Sequence, residues 1–419
     1  MRVLMTVFAN SSHLFNMVPL AWALTTAGHE VRIASQPDNV QAISDCGLTA
    51  VPVGNDLNIM ELARSTPREE MANGGALTLN ETRPEKLTWD YVHDTFAQHS
   101  QLYDYMADRA MTDELVEHAR QWQPDLVIWD ALTYAGPIAA EAVGVPHVRM
   151  LFGLDHWGRM RGIFHQLAAE RAPEDRHDPV ADWLGAKGAP YGVAFDETLS
   201  TGRATLAVAP PWMGFPTELP TISMRHIPFN GPAVVPDWLR KPADRPRICL
   251  TLGLTLREIA DENVSLGDFV RAVADIDAEV VATLSEEQLA EIGELPDNVK
   301  PVDFVPLHAL LPTCAALVHH GGGGTRTNAV MHGVPQLIVP NWLWDERDIA
   351  QRFAERGAAL VTEVPDLTPE RLREQLRRLL SDPSFQAAAD EIQKEYAALP
   401  SPNATVAELE RVAERGRTL

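Results

Sequence analysis

Short apolar runs alternate with stretches of helical period along most of the chain. Residues 3–8, 30–34, 125–129 and 147–152 each read as a buried strand. Between them, residues 17–27 carry Val18, Leu20, Trp22 and Leu24 ahead of Gly28, which predicts a helix that stops at the glycine. A further helix is expected over about 136–143. The alternation resumes later: strands over 247–252, 278–284, 315–319 and 336–340, an extended run over 299–304, and part of a helix over 265–274. Strands alternating with helices of this length predict mostly parallel, doubly wound sheets with right-handed crossovers.

The pattern breaks in three places. Residues 60–120 and 171–199 are poorly periodic, and the first reads as a loop with one or two helices that could cap a pocket. Residues 230–236, with one glycine and two prolines, separate two periodic halves. The chain therefore reads as a Rossmann-like domain over 1–229, a linker over 230–240 and a second Rossmann-like domain over 241–419. The tail is helical, with Thr368 as a cap, Pro369 in first position and Leu372, Leu376 and Leu379 on one face; a last helix starts near Ser401.

At 419 residues, two domains are the natural division. The 35 Lys and Arg against 58 Asp and Glu give a net charge of -23, which disfavours nucleic acid and anionic membrane surfaces as partners. A small anionic ligand stays compatible if amides and dipoles hold it. Cys46, Cys249 and Cys314 are scattered and lie in or beside apolar runs, as expected of thiols in a reducing compartment. No run approaches a spanning helix, and the first residues lack a signal-peptide pattern, so the expected location is the cytoplasm.

The densest local signal is His319-His320-Gly321-Gly322-Gly323-Gly324-Thr325, between a predicted strand and a predicted helix. Glycines let backbone approach a ligand, and the amides of a helix start suit a diphosphate, with the Thr325 hydroxyl adding a bond. A plain tight turn is the alternative. The loop is neither a Walker sequence nor a dinucleotide fingerprint, and the first βα turn has no glycine. Adjacent histidines at a strand end point apart, which argues against a shared metal; no metal is expected. His13 follows the first strand, where open α/β sheets bind ligands, and could accept an acceptor proton or be an ordinary loop histidine. Asp130 ends another strand and could orient that imidazole or cap a helix. Asp345 and Glu346 could receive sugar hydroxyls or serve the helix dipole. The Asp275-Ile276-Asp277 pair has metal-binding spacing but stands far from the other candidates in sequence.

His320 to Thr325, with Gly333-Val334-Pro335-Gln336 and Asp345-Glu346, resembles the donor-binding signature of the GT-B superfamily, glycosyltransferase family one. The runs Ser12-His13-Leu14-Phe15, Gly28-His29-Glu30-Val31-Arg32 and Pro124-Asp125-Leu126-Val127-Ile128-Trp129 are similar to the actinobacterial enzymes that attach deoxysugars to macrolides and anthracyclines. The resemblance implies a GT-B fold, two Rossmann-like domains facing across a cleft, with the terminal helix returning to the first. It implies His13 as general base and Asp130 as its orienting partner. Thr251, Gly253, Phe304, Val305, Pro306, His320, Gly321, Gly322, Gly323, Gly324, Thr325, Asp345 and Glu346 would bind the donor. Many relatives have Asp-Gln where this chain has Asp345-Glu346, which the unusual sugar of an amino type would suit. The implied reaction is inverting transfer of a deoxysugar from dTDP to a hydroxyl of a hydrophobic polyketide aglycone. Some relatives work with a P450-like helper protein, and a homodimer is compatible with the family. Phe96, Trp157 and Phe164 are the expected acceptor contacts, with packing in the core as their alternative. A nucleotide-sugar epimerase or a non-catalytic binding protein could share the fold and loop; neither would transfer sugar to a third molecule.

Overall fold

The computed structural model describes residues 1–59, 77–251, 270–340 and 344–416. Two compact units divide the chain between Arg225 and His226, slightly ahead of the expected linker. Residues Leu399–Leu419 belong to the first unit, although they follow the whole of the second.

The first unit holds a seven-stranded parallel sheet in the order β3-β2-β1-β4-β5-β6-β7. The strands are β1 (Arg2–Thr6), β2 (Glu30–Ser35), β3 (Ala50–Pro52), β4 (Leu126–Asp130), β5 (His147–Met150), β6 (Ala204–Ala207) and β7 (Thr221–Ser223). Strands β1 and β4 are almost wholly buried, with Val3, Leu4, Met5, Leu126, Val127, Ile128 and Trp129 at 0% exposure. That explains their continuous apolar runs, because a parallel strand is covered on both faces. The order reverses between β1 and β4, which pair directly, Thr6 opposite Trp129. A crevice opens beyond the carboxyl ends of two such strands, because their crossovers leave on opposite sides.

The helix after β1 spans Ser11–Thr26, six residues earlier than the apolar pattern predicts. Asn10 starts it: its side chain accepts the Ser12 amide at 2.9 Å. The first turn is polar, so the apolar period does not mark this start. The helix also runs through Pro19, which fixes φ but gives up one backbone donor. It packs against the helix Pro402–Gly416, whose Val406, Leu409 and Ala413 are buried.

The second unit holds a six-stranded parallel sheet, β10-β9-β8-β11-β12-β13. These are β8 (Arg247–Thr251), β9 (Glu279–Thr283), β10 (Val299–Val302), β11 (Ala316–His319), β12 (Gln336–Ile338) and β13 (Ala359–Val361). Its switch lies between β8 and β11, where His319 stands opposite Thr251. One face of the sheet buries Ile248, Val280, Val318 and Leu337 against Leu372, Leu376 and Leu379 of the helix Pro369–Ser381. Thr368 caps that helix as its sequence requires, accepting the Arg371 amide at 3.2 Å. Both units are thus Rossmann-like. Among the described residues no helix is long and apolar enough to cross a membrane.

Candidate active site

In the first unit, the switch point brings His13 and Asp130 together. The early helix start puts His13 in the first helical turn rather than in the preceding loop. Its Nδ1 lies 2.8 Å from Asp130 Oδ2. The other carboxylate oxygen, Oδ1, accepts the Leu132 amide at 3.1 Å, so the carboxylate is held from two sides. Asp130 caps no helix: the helix Ala135–Ala142 begins after Tyr134 with no side-chain cap. A carboxylate at Nδ1 fixes the proton on that nitrogen and leaves Nε2 as the basic one. The His13 side chain is 13% exposed against 2% for Asp130, so the imidazole can meet a ligand and its partner cannot. Phe8 and Phe152 flank the ring at 4.6 and 4.4 Å between centroids. Asn16 donates to the Leu151 carbonyl at 3.1 Å and ties the loop after β5 to the helix that carries His13.

Phe96, Trp157 and Phe164, the expected acceptor contacts, are packed side chains of the first unit. They are 0%, 4% and 2% exposed and pack on one another, Phe96 edge-on to Trp157 at 4.9 Å and to Phe164 at 6.0 Å. Trp157 uses its indole N–H on Ser200 Oγ at 2.8 Å. This packing matches the core alternative given for them, since large aromatics between helices contribute most when dry. The aromatics beside His13 are Phe8 and Phe152, which sequence reasoning gave to the strands; their places just past the ends of β1 and β5 were the signal available.

In the second unit, β11 delivers His319 and His320 to the glycine loop. His319 is locked in one tautomer: Nδ1 accepts the Gly321 amide at 3.0 Å, and Nε2 faces Gln336 Oε1 at 2.9 Å. Burial, with His320 and Arg326 adding to it, pushes the His319 pKa down to about 3. Burial alone holds His320 at about 4, so both rings are neutral near pH 7. Gly321 has φ +99, a conformation that disfavours side chains. At Gly322 a Cβ would lie 2.4 Å from His320 Nε2, so the ring rests directly on that glycine. Gly322 N-caps the helix Gly323–Met331 without a side chain, and a helix start leaves its first amides without intrahelical acceptors. Thr325 lies in that first turn, half-buried.

The acidic pair follows β12. Asp345 N-caps the helix Glu346–Glu355 without a side-chain capping bond. Glu346 accepts the Trp344 amide at 2.9 Å, and a Cβ on Gly321 would lie 3.0 Å from its own Cβ. The pair and the glycine loop are therefore neighbours. Burial and the Asp345 charge raise the Glu346 pKa. Thr251 is buried and accepts from Thr283 Oγ1 at 2.7 Å. Phe304 is 44% exposed, Val305 is buried in the core and Pro306 N-caps the short helix Leu307–Leu310. Of these three, Phe304 has the surface a base could stack on. Gly253 lies outside the described residues. Asp275 and Asp277 pair with different arginines, Arg373 and Arg245, at 3.9 and 3.5 Å. Among the described residues no group of three or more His, Cys, Asp or Glu is arranged to hold a metal.

Two Rossmann-like units, one with an oriented imidazole and one with a glycine-rich helix start beside two carboxylates, define a sugar-nucleotide transferase of the GT-B class. Residues 22–253 match the family described as Erythromycin biosynthesis protein CIII-like, N-terminal domain, and residues 268–412 match its C-terminal domain counterpart. The chain belongs to this family, and it is a glycosyltransferase. It is 48% identical to aclacinomycin-T 2-deoxy-L-fucose transferase of Streptomyces galilaeus, over 100% of this chain and 97% of that protein. It is 45% identical to 10-deoxymethynolide desosaminyltransferase of Streptomyces venezuelae, over 100% and 98%. The crystal structure of glycosyltransferase VinC in complex with dTDP superposes with a TM-score of 0.93 at 76% identity, covering 99% of this chain and 100% of that one.

Proposed function

We propose that the two sites divide one displacement between them: His13 activates the acceptor, and the glycine loop holds the departing diphosphate. The enzyme transfers a deoxysugar from a dTDP-sugar to a polyketide aglycone of antibiotic biosynthesis, with inversion, as its relatives' activities support. A neutral hydroxyl is a poor nucleophile, so its proton must leave as the bond to the anomeric carbon forms. The Nε2 of His13 takes that proton, and Asp130 steadies the imidazolium. The diphosphate leaves with both bonding electrons. The amides at Gly323 and Gly324, with the neutral ring of His320, meet its growing charge. Asp345 and Glu346 receive the sugar hydroxyls, and Phe304 stacks on the base. Phe8 and Phe152 form the apolar wall beside the reacting hydroxyl.

The observation that carries this reading is the His13–Asp130 contact at the β1–β4 switch. The test is a panel of dTDP-deoxysugars and polyketide aglycones offered to the purified chain, with and without a P450-like helper protein. Glycosylated aglycone of inverted anomeric configuration is expected, and none without acceptor. Turnover of UDP-glucose and simple phenols alone would overturn the assignment. Dependence on the helper, and the native mass of the purified chain, decide the two remaining partner questions.

A further inference from the structure

One charged side chain beside the glycine loop has no part in the mechanism above. Arg326 is the fourth residue of the helix Gly323–Met331, and its side chain is 5% exposed. Its Nη1 donates to the Gly321 carbonyl at 3.3 Å and lies 3.9 Å from Asp345 Oδ1. Its Nε is buried with no hydrogen-bond partner among the described residues. A guanidinium this dry and this sparsely paired is costly to keep, so its location needs a reason.

The reason lies in the charges that the loop brings together. Asp345 is 6% exposed, and it is close enough to Glu346 for its charge to oppose ionisation of that carboxyl. A nucleoside diphosphate at the same helix start adds further negative charge. At such burial, repulsion is poorly screened by water or salt. The histidines around the loop cannot answer it. His226, His319 and His320 are held at about 4, 3 and 4, and the Arg326 charge itself helps to keep the first two neutral. The same charge favours the ionised form of Glu346.

We propose that Arg326 is a positioning residue for the donor: its fixed charge offsets the Asp345–Glu346 acids and ties them to the glycine loop, so that a nucleoside diphosphate can bind beside two carboxylates. This rests on the glycine loop being the donor site. The Arg326 side chain need not touch the phosphates. Its grip on the Gly321 carbonyl sets the loop, and its charge sets the field in which the diphosphate lands.

The experiment measures dTDP binding by calorimetry on the full chain, with donor KM and kcat in parallel and folding followed by circular dichroism. Arg326→Met removes the charge and keeps much of the bulk; dTDP affinity should fall about tenfold or more. Arg326→Lys should recover most of it, to within about threefold, because the charge returns. Arg326→Met combined with Asp345→Asn should bind dTDP better than Arg326→Met alone, because charge balance is restored. Asp345→Asn alone should tighten dTDP while lowering kcat, and this variant keeps the proposal testable should Arg326→Met not fold. Wild-type dTDP affinity in Arg326→Met, a double variant that binds dTDP no better than Arg326→Met alone, or weaker dTDP binding in Asp345→Asn would each overturn it. Gly322→Ala and His320→Ala report on the donor site itself. If they leave dTDP binding intact, the donor-site reading fails; if they weaken it while Arg326→Met does not, this inference alone fails.

Discussion

His13 and Asp130 are 117 positions apart in the chain, yet imidazole Nδ1 and carboxylate Oδ2 stand at 2.8 Å. The contact is made because β1 and β4 are neighbours in the sheet and each ends at the same edge. It ranks the two side chains. His13→Ala should lower kcat by about a hundredfold or more and leave dTDP affinity nearly unchanged. Asp130→Asn should cost less, because the ring stays and loses only its orienting charge. Initial rates with calorimetry in parallel decide this; near-normal transfer by His13→Ala would remove the general base from the mechanism.

The His320 ring leaves no room on Gly322. An alanine there would put a methyl group 2.4 Å from Nε2, and the ring must swing away from the loop. Donor KM should rise about tenfold or more in Gly322→Ala, with a small change in melting temperature, because the strain is local. A donor KM equal to wild type would mean that the ring's position does not matter to the diphosphate.

Acid should loosen the second unit. His226, His319 and His320 are neutral in the folded chain with pKa values near 4, 3 and 4, all below the ordinary 6.5. On unfolding they take up protons once the pH is below about 6.5, so the unfolded state binds more protons and stability is lost as the pH is lowered. Each fully displaced group contributes up to about 1.4 kcal/mol per pH unit between roughly pH 6 and its folded value. Above about pH 7 they contribute no slope. Thermal melts at pH 7.5 and 5.5 should differ, with the lower temperature at pH 5.5, and the second unit's signal should move first. Equal melting temperatures would contradict the burial of these rings.

Glu346 packs beside Gly321 of the glycine loop. Its carboxyl is desolvated and opposed by Asp345, so it titrates higher than a free glutamate. Glu346→Gln should change the ratio of kcat/KM values between amino and neutral deoxysugar donors, while dTDP itself binds no less tightly than in wild type. An unchanged ratio would take sugar discrimination away from this residue.

The pattern of apolar runs carried the sheet centres into view because parallel strands buried on both faces leave an uninterrupted signature. β1, β4, β8 and β11 are of that kind. The edge strands β3, β7 and β13 are three residues long and mostly only partly buried, so no long apolar run marks them. The helix Ser11–Thr26 began early because Asn10, and not an apolar residue, sets its start. The helices Pro179–Gly188 and Glu197–Thr201 hide in a polar stretch for the same reason, each started by an aspartate, Asp178 and Asp196. At the site, glycines and histidines were legible since their chemistry is local. Phe152 and Arg326 were not. Each draws its meaning from a partner far away in sequence or in the next loop, His13 in one case and Asp345 in the other.

The return of residues Leu399–Leu419 to the first unit sets an order for making the protein. A ribosome completes β1 to β7 first, but the helix Pro402–Gly416 that covers the helix behind β1 emerges only after the entire second unit has been synthesised. Until then Leu409 and Ala413 have not arrived at the surface they will seal. The half begun first is therefore finished last, and severing the chain at Arg225 would yield an amino-terminal fragment with an exposed apolar face rather than a free-standing domain.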